Sequence, residues 1–132
     1  TSMMAALTSF NLNTAQHKSL VLGDMRELGE ESQREHTVIL DYLFTSGIKL
    51  DIIILVGEEF TKAFKARTAA GIAKGLDYAA SDSPTNFRCY ASVDALIADA
   101  DVLRNLAGTI LVKGSRGIQL ERAAEAIKQY KC

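Results

Sequence analysis

Asp51-Ile52-Ile53-Ile54-Leu55-Val56-Gly57 reads as one β-strand buried on both faces. The run is apolar throughout and mostly β-branched, with no polar residue alternating into it, and it is bounded by an acid and a glycine. A strand with one wet face alternates; a strand without alternation is covered above and below, as in a parallel sheet flanked by helices. Working outward, Ser19–Leu22 and Thr109–Val112 have the same character, and Phe87–Ala91 is a fourth strand. Helical spacing fills the gaps between them. Met3, Leu7 and Phe10 recur on one helix, which Thr1 or Ser2 can cap, and a polar connection, 11–17, follows it. Ser32 with Glu35 three residues on has the spacing of a capping box, starting a helix that turns Ile39, Tyr42 and Leu43 inward. Phe60, Ala63 and Phe64 mark the next helix. Ser92 caps one that carries Val93, Leu96, Ile97, Ala100 and Leu103, and Leu120, Ala123, Ala124, Ile127 and Tyr130 share a face of the last. Residues 69–86, rich in Ala and Gly and holding the single proline, Pro84, read as helix followed by loop. Strands alternating with helices predict an α/β fold: a Rossmann-like three-layer sandwich with a mostly parallel sheet, as one domain over 1–132.

Composition narrows the function classes. Fifteen Lys and Arg stand against sixteen Asp and Glu, and there is no Trp. Without a basic stripe, nucleic-acid binding is disfavoured. The apolar run at 52–57 is too short to span a bilayer, and no charged segment precedes an apolar one at the N-terminus, so neither membrane span nor signal peptide is expected. Cys89 and Cys132 form no Cys-x-x-Cys pair and, with two scattered histidines, make no zinc site. Two reduced thiols in a cytoplasmic protein are the expectation.

Two loops hold the chemistry. Lys113-Gly114-Ser115-Arg116-Gly117 follows the strand at 109–112 with two cations, a hydroxyl and two glycines. In an open α/β sheet, ligands sit outside the carboxyl ends of strands, and cations beside free backbone N–H groups suit a carboxylate or a phosphate. A glycine turn with solvated charges is the plain alternative. The second loop, Gly23-Asp24-Met25-Arg26-Glu27-Leu28-Gly29-Glu30-Glu31, also ends a strand. Right-handed crossovers place both loops on one edge of the sheet. His36, in the first turns of the helix that follows, reads as a hydrogen-bonded structural residue rather than a catalyst.

Residues 21–32, Val-Leu-Gly-Asp-Met-Arg-Glu-Leu-Gly-Glu-Glu-Ser, followed by His36, closely resemble the Val-Leu-Gly-Asp-Met-x-Glu-Leu-Gly signature of the Mur ligases, in the form that adds D-alanyl-D-alanine. Leu111-Val112-Lys113-Gly114-Ser115-Arg116-Gly117, with Leu120-Glu121 after it, resembles that family's second C-terminal signature, and the Ser2-Met3 opening resembles the helix after its Asn-Ala-Asn-Pro motif. The resemblance covers essentially the whole chain except 69–86. It implies the C-terminal domain of a longer, three-domain enzyme. That enzyme uses ATP and Mg²⁺ to activate the terminal carboxylate of UDP-N-acetylmuramoyl-tripeptide as an acyl phosphate, and the amine of D-alanyl-D-alanine then attacks. It also implies that Lys113, Ser115 and Arg116 take the dipeptide carboxylate, while Asp24 and Glu27 orient the loop or face the amine; the plain alternative is that Asp24 caps the turn and Glu27 is solvated. Arg26 fills a position where the signature varies. No G-x-x-x-x-G-K-[ST] phosphate loop occurs, so this chain is expected to bind no nucleotide tightly and to be inactive alone. A receiver domain would need an Asp after a middle strand, but that strand ends Leu55-Val56-Gly57. A free-standing Rossmann-like binding module, or the C-terminal domain of another Mur-type amino-acid ligase, stays open.

Overall fold

The computed structural model of the protein describes residues 2–25, 29–46, 48–73, 87–106 and 108–131. The four apolar runs are strands: β1 (Lys18–Gly23), β2 (Ile52–Val56), β3 (Phe87–Tyr90) and β4 (Thr109–Lys113). All pair in parallel, in the order β3-β2-β1-β4, with Leu20 opposite Ile53 on one side and Leu111 on the other. Side chains alternate across a strand, and each alternate set finds its own helical layer. Leu20, Leu22, Ile53, Leu55 and Phe87 pack with α1 (Ser2–Leu12), α2 (Ser32–Thr45) and α3 (Glu58–Ala73). Val21, Ile54 and Val56 pack with α4 (Val93–Ala98), α5 (Ala100–Asn105) and α6 (Leu120–Lys131). The sandwich has three layers, as the unbroken Ile-Ile-Ile run requires.

Strand order decides where a ligand can sit. From β1 the chain steps outward through β2 to β3, then crosses to the far side of β1 to lay down β4. The connection after β1 therefore leaves toward α2 on one face, and the connection after β4 leaves toward α6 on the other. Adjacent strands whose loops diverge in this way open a crevice at their carboxyl ends, the switch point of doubly wound sheets.

Three sequence expectations need correction. Ser32 is not an N-cap: a 3-10 turn, Gly29–Glu31, runs into α2 with Glu31 at the cap position and no side-chain cap, and the Ser32 hydroxyl instead donates to Glu59 Oε2 at 3.1 Å. Ile39, Leu43 and Tyr42 do turn inward, Tyr42 half-buried against the core, and Leu40 and His36 join them. The helix expected after Ser92 is two helices broken at Asp99, although Ser92 does cap the first, its Oγ accepting from Ala95 N–H at 3.2 Å. Tyr130 is 40 % exposed; its ring meets the Arg104 guanidinium at 5.2 Å, not the core. Of the stretch 69–86, α3 extends to Ala73, and the loop expected beyond it lies outside the described residues.

The break at Asp99 has a definite cause. Tyr90, at the end of β3, donates its hydroxyl to Asp99 Oδ2 at 2.6 Å, and Asp99 Oδ1 accepts from Val102 N–H at 3.3 Å to start α5. The Tyr90 bond first, and the Val102 amide second, hold the Asp99 carboxyl below its ordinary range, while burial and the same bond push the Tyr90 hydroxyl up. A carboxyl depressed on folding stabilises the fold above its unfolded pKa of about 3.9, and that contribution is lost as pH falls through the lower folded value. Tyr90→Phe removes the larger cause. Its urea midpoint should lie below wild type at pH 7, with the gap narrowing as pH falls below the unfolded pKa and through the lower folded one. A gap independent of pH would show that the Tyr90–Asp99 bond does not set this acid sensitivity.

Candidate functional site

The loops after β1 and β4 touch. Ser115 N–H donates to Asp24 O at 3.1 Å. Gly114 lies so close to Gly23 that a Cβ on it would stand 2.9 Å from the Gly23 Cα and 2.9 Å from Leu120 Cδ1. The second motif thus needs a glycine for close approach, since Gly114 is not in the positive-φ region. Asp24 N–H continues the sheet by donating to Val56 O at 2.9 Å. The ends of β1, β2 and β4 and the start of α6 therefore form one crest at the switch point.

Lys113, Ser115 and Arg116 lie on this crest. Lys113 closes β4 on the side of the sheet that Leu111 shares with α1–α3, half-buried, whereas Arg116 opens a 3-10 turn, Arg116–Ile118, and is exposed. Neither cation is paired with a carboxylate among the described residues. Among the described residues, the Ser115 hydroxyl oxygen is buried without a hydrogen-bond partner. A buried hydroxyl left unsatisfied costs about 1–3 kcal/mol, so this oxygen keeps its hydrogen-bonding capacity unused within the domain. Gln119 closes the turn in the left-handed region at φ 59°, and α6 begins at once. A non-glycine residue there costs roughly 1–2 kcal/mol, and the sequence pattern carried no sign of it.

Asp24 plays a different part. It is 3 % exposed; Oδ2 accepts from Glu59 N–H and Oδ1 from Phe60 N–H, each at 2.9 Å, so the carboxylate starts α3. Gly57, between β2 and α3, has φ +121°, and a Cβ there would fall 2.2 Å from the Asp24 carboxyl carbon. Of the roles open to Asp24, capping and orienting the backbone are the ones this geometry supports; both oxygens are occupied and turned inward. Arg26 and Glu27 lie outside the described residues. His36 is fully buried. Its Nδ1 is 2.6 Å from Ser32 O, which can only accept, so Nδ1 carries the proton and Nε2 accepts from Met25 N–H at 2.9 Å. The contact of 3.9 Å between Nε2 and Asp24 Oδ1 is thus an approach to a lone pair, not an ion pair.

With this arrangement in hand, likeness to known proteins is specific. The family described as Mur ligase, glutamate ligase domain, matches residues 1–116. The chain belongs to the Mur ligase C-terminal domain family. It is 30 % identical over 124 residues to the UDP-N-acetylmuramoyl-tripeptide–D-alanyl-D-alanine ligase of Rickettsia prowazekii (strain Madrid E), covering 94 % of this chain and 24 % of that enzyme. A crystal structure of MurF from Acinetobacter baumannii superposes with a TM-score of 0.65 at 26 % identity, over 96 % of this chain and 25 % of that one. The chain therefore spans about a quarter of the length of these relatives. In this Mur ligase domain the first signature's acid is a structural clamp, and the second signature supplies the polar side chains of the crest.

The clamp makes a stability prediction. Asp24→Ala leaves two α3 amides without their acceptor in a dry site and should cost about 2–4 kcal/mol. Asp24→Asn keeps one acceptor oxygen and should cost less. Urea unfolding measures both; an Asp24→Ala variant as stable as wild type would show that the carboxylate is dispensable to the fold.

Proposed function

We propose that this domain holds D-alanyl-D-alanine for a ligase that joins it to UDP-N-acetylmuramoyl-tripeptide in peptidoglycan precursor synthesis. The carrying observation is the crest where β1 and β4 meet: Lys113, Ser115 and Arg116 follow one another at the carboxyl end of β4, with the Ser115 amide bonded to Asp24 O at the end of β1. The dipeptide carboxylate suits the two cations, and charge-assisted bonds to carboxylates are the strong ones. Ser115 Oγ can donate to the same carboxylate and so satisfy itself. The work of such a domain is proximity: it brings a bound amine against an acyl phosphate made elsewhere and excludes water as it closes. The amine then attacks the activated carbonyl carbon, an amide bond forms, and phosphate leaves with the electrons of the broken C–O bond.

ATP and Mg²⁺ belong to the activation half of that reaction. The sequence has no G-x-x-x-x-G-K-[ST] to cradle phosphates, and among the described residues no group of three or more His, Cys, Asp or Glu is placed to hold a metal ion. In this reading nucleotide and Mg²⁺ bind elsewhere in a longer, cytoplasmic enzyme. No helix among the described residues is long and apolar enough to cross a membrane.

Chemical-shift mapping of the chain with D-alanyl-D-alanine tests the reading: the amides of 113–117 should move first, with Gly23, Asp24 and Met25 following. Perturbation confined to another surface would overturn it. Arg116→Ala should weaken dipeptide binding about 10- to 100-fold, the range of a charge-assisted contact worth roughly 1.5–3 kcal/mol. In a full-length ligase carrying this domain, the same change should raise the KM for dipeptide and leave that for ATP unmoved. If a folded Arg116→Ala protein handles dipeptide like wild type, the loop is a turn and not a seat. Purified alone, the 132-residue chain should release no phosphate from ATP above a protein-free control.

A further inference from the structure

One peptide group links the two signature loops. The N–H that His36 Nε2 holds belongs to Met25, and the C=O that holds Ser115 N–H belongs to Asp24. These are the two ends of the peptide unit joining residues 24 and 25. No peptide bond among the described residues is cis, so its N–H and C=O point opposite ways and turn together as a rigid plane. The path is continuous: Ser32 O accepts from His36 Nδ1–H, Nε2 accepts from Met25 N–H, and Asp24 O accepts from Ser115 N–H. It runs from the first turn of α2, through the end of β1, to the loop after β4.

A neutral imidazole suits the first position. One rigid ring offers a donor toward its own helix and an acceptor toward the loop, in a site with no exposure to water. Phe60, edge-on at 4.5 Å and 81°, fixes the ring plane from α3. Asp24 already uses both carboxylate oxygens on α3 and leaves the Met25 amide to His36. Rotating the 24–25 peptide would break both its bonds at once, and polarisation along such a chain strengthens each bond.

We propose that His36 is a positioning residue for the loop 113–116, acting through the 24–25 peptide to set the Ser115 amide. This rests on the functional reading only in calling that loop the dipeptide's seat. Two substitutions separate the two ring bonds. His36→Gln puts a carboxamide oxygen where Nε2 was and can still accept from Met25. His36→Asn reaches only the Nδ1 position and can keep the bond to Ser32.

The experiment is amide hydrogen exchange of the 132-residue chain, with Leu55 in mid-sheet reporting global opening. In His36→Asn, Ser115 exchange should accelerate by roughly fivefold to tenfold beyond any change at Leu55, about the effect of losing one hydrogen bond. In His36→Gln it should return to within about twofold of wild type on the same scale. If Asn preserves Ser115 protection and Gln loses it, His36 serves only its own helix and the proposal fails. It also fails if both variants track Leu55. Ring ¹⁵N shifts of the wild-type protein give a reading that does not depend on variants folding: Nδ1 should be protonated and Nε2 bare at neutral pH, and a proton on Nε2 would overturn the proposal outright. No dipeptide enters these measurements. Loss of dipeptide binding with an intact Ser115 response would sink the functional reading and leave the positioning role standing.

Discussion

A buried carboxylate held by helix amides underlies the rest of this domain. Asp24 sits at the carboxyl end of the central strand, nearly inaccessible, with no cation bound to it among the described residues. An isolated buried charge is prohibitive; this one is offset by two N–H groups at the start of α3, where the helix dipole also favours negative charge. That solution requires β2 to be followed by a residue without a side chain, because any Cβ at Gly57 would occupy the carboxylate's place. The acid and the glycine lock β1, β2 and α3 into one unit, and the backbone just past the acid is left to meet α2 on one side and β4 on the other.

The layered sheet was legible because its strands are apolar on both faces, a pattern that only coverage above and below explains; the observed strands start and end within a residue or so of the runs that announced them. That both signature loops share an edge followed from crossover handedness. What stayed hidden were contacts set by tertiary neighbours. Asp24 looks like a ligand group in sequence because its partners, the amides of Glu59 and Phe60, are backbone atoms far along the chain. The helix after Ser92 looks unbroken because α4 and α5 bury their apolar residues in the same layer, while the interruption comes from a tyrosine hydroxyl on β3. Ser32 has the spacing of a cap, yet a 3-10 turn precedes the helix and Glu59 captures its hydroxyl.

The candidate site divides by role rather than by signature. Lys113, Ser115 and Arg116 present side-chain polarity, whereas the first signature contributes backbone geometry through Asp24 and Met25. His36, seven residues downstream of that signature's last glycine, is structural in the strict sense that both ring nitrogens bond to main chain. Sequence spacing could suggest its burial but not the atom it holds, because an imidazole can offer either nitrogen until its neighbours are known.

The strand order also dictates how late the crest comes into being. The ladder between β1 and β2 joins residues roughly thirty apart, but the ladder between β1 and β4 spans about ninety. Pairings of greater separation are slower because more chain must be closed before they form. During synthesis, α1, β1, α2, β2 and α3 can assemble while one edge of the central strand has no neighbour. Only after α6 has emerged can Leu120 settle against Gly23 and Gly114 and seal that edge. The strand that carries Lys113 is thus the closing piece of the sheet, and an interrupted chain would hold a nearly complete core with an open, sticky margin along β1.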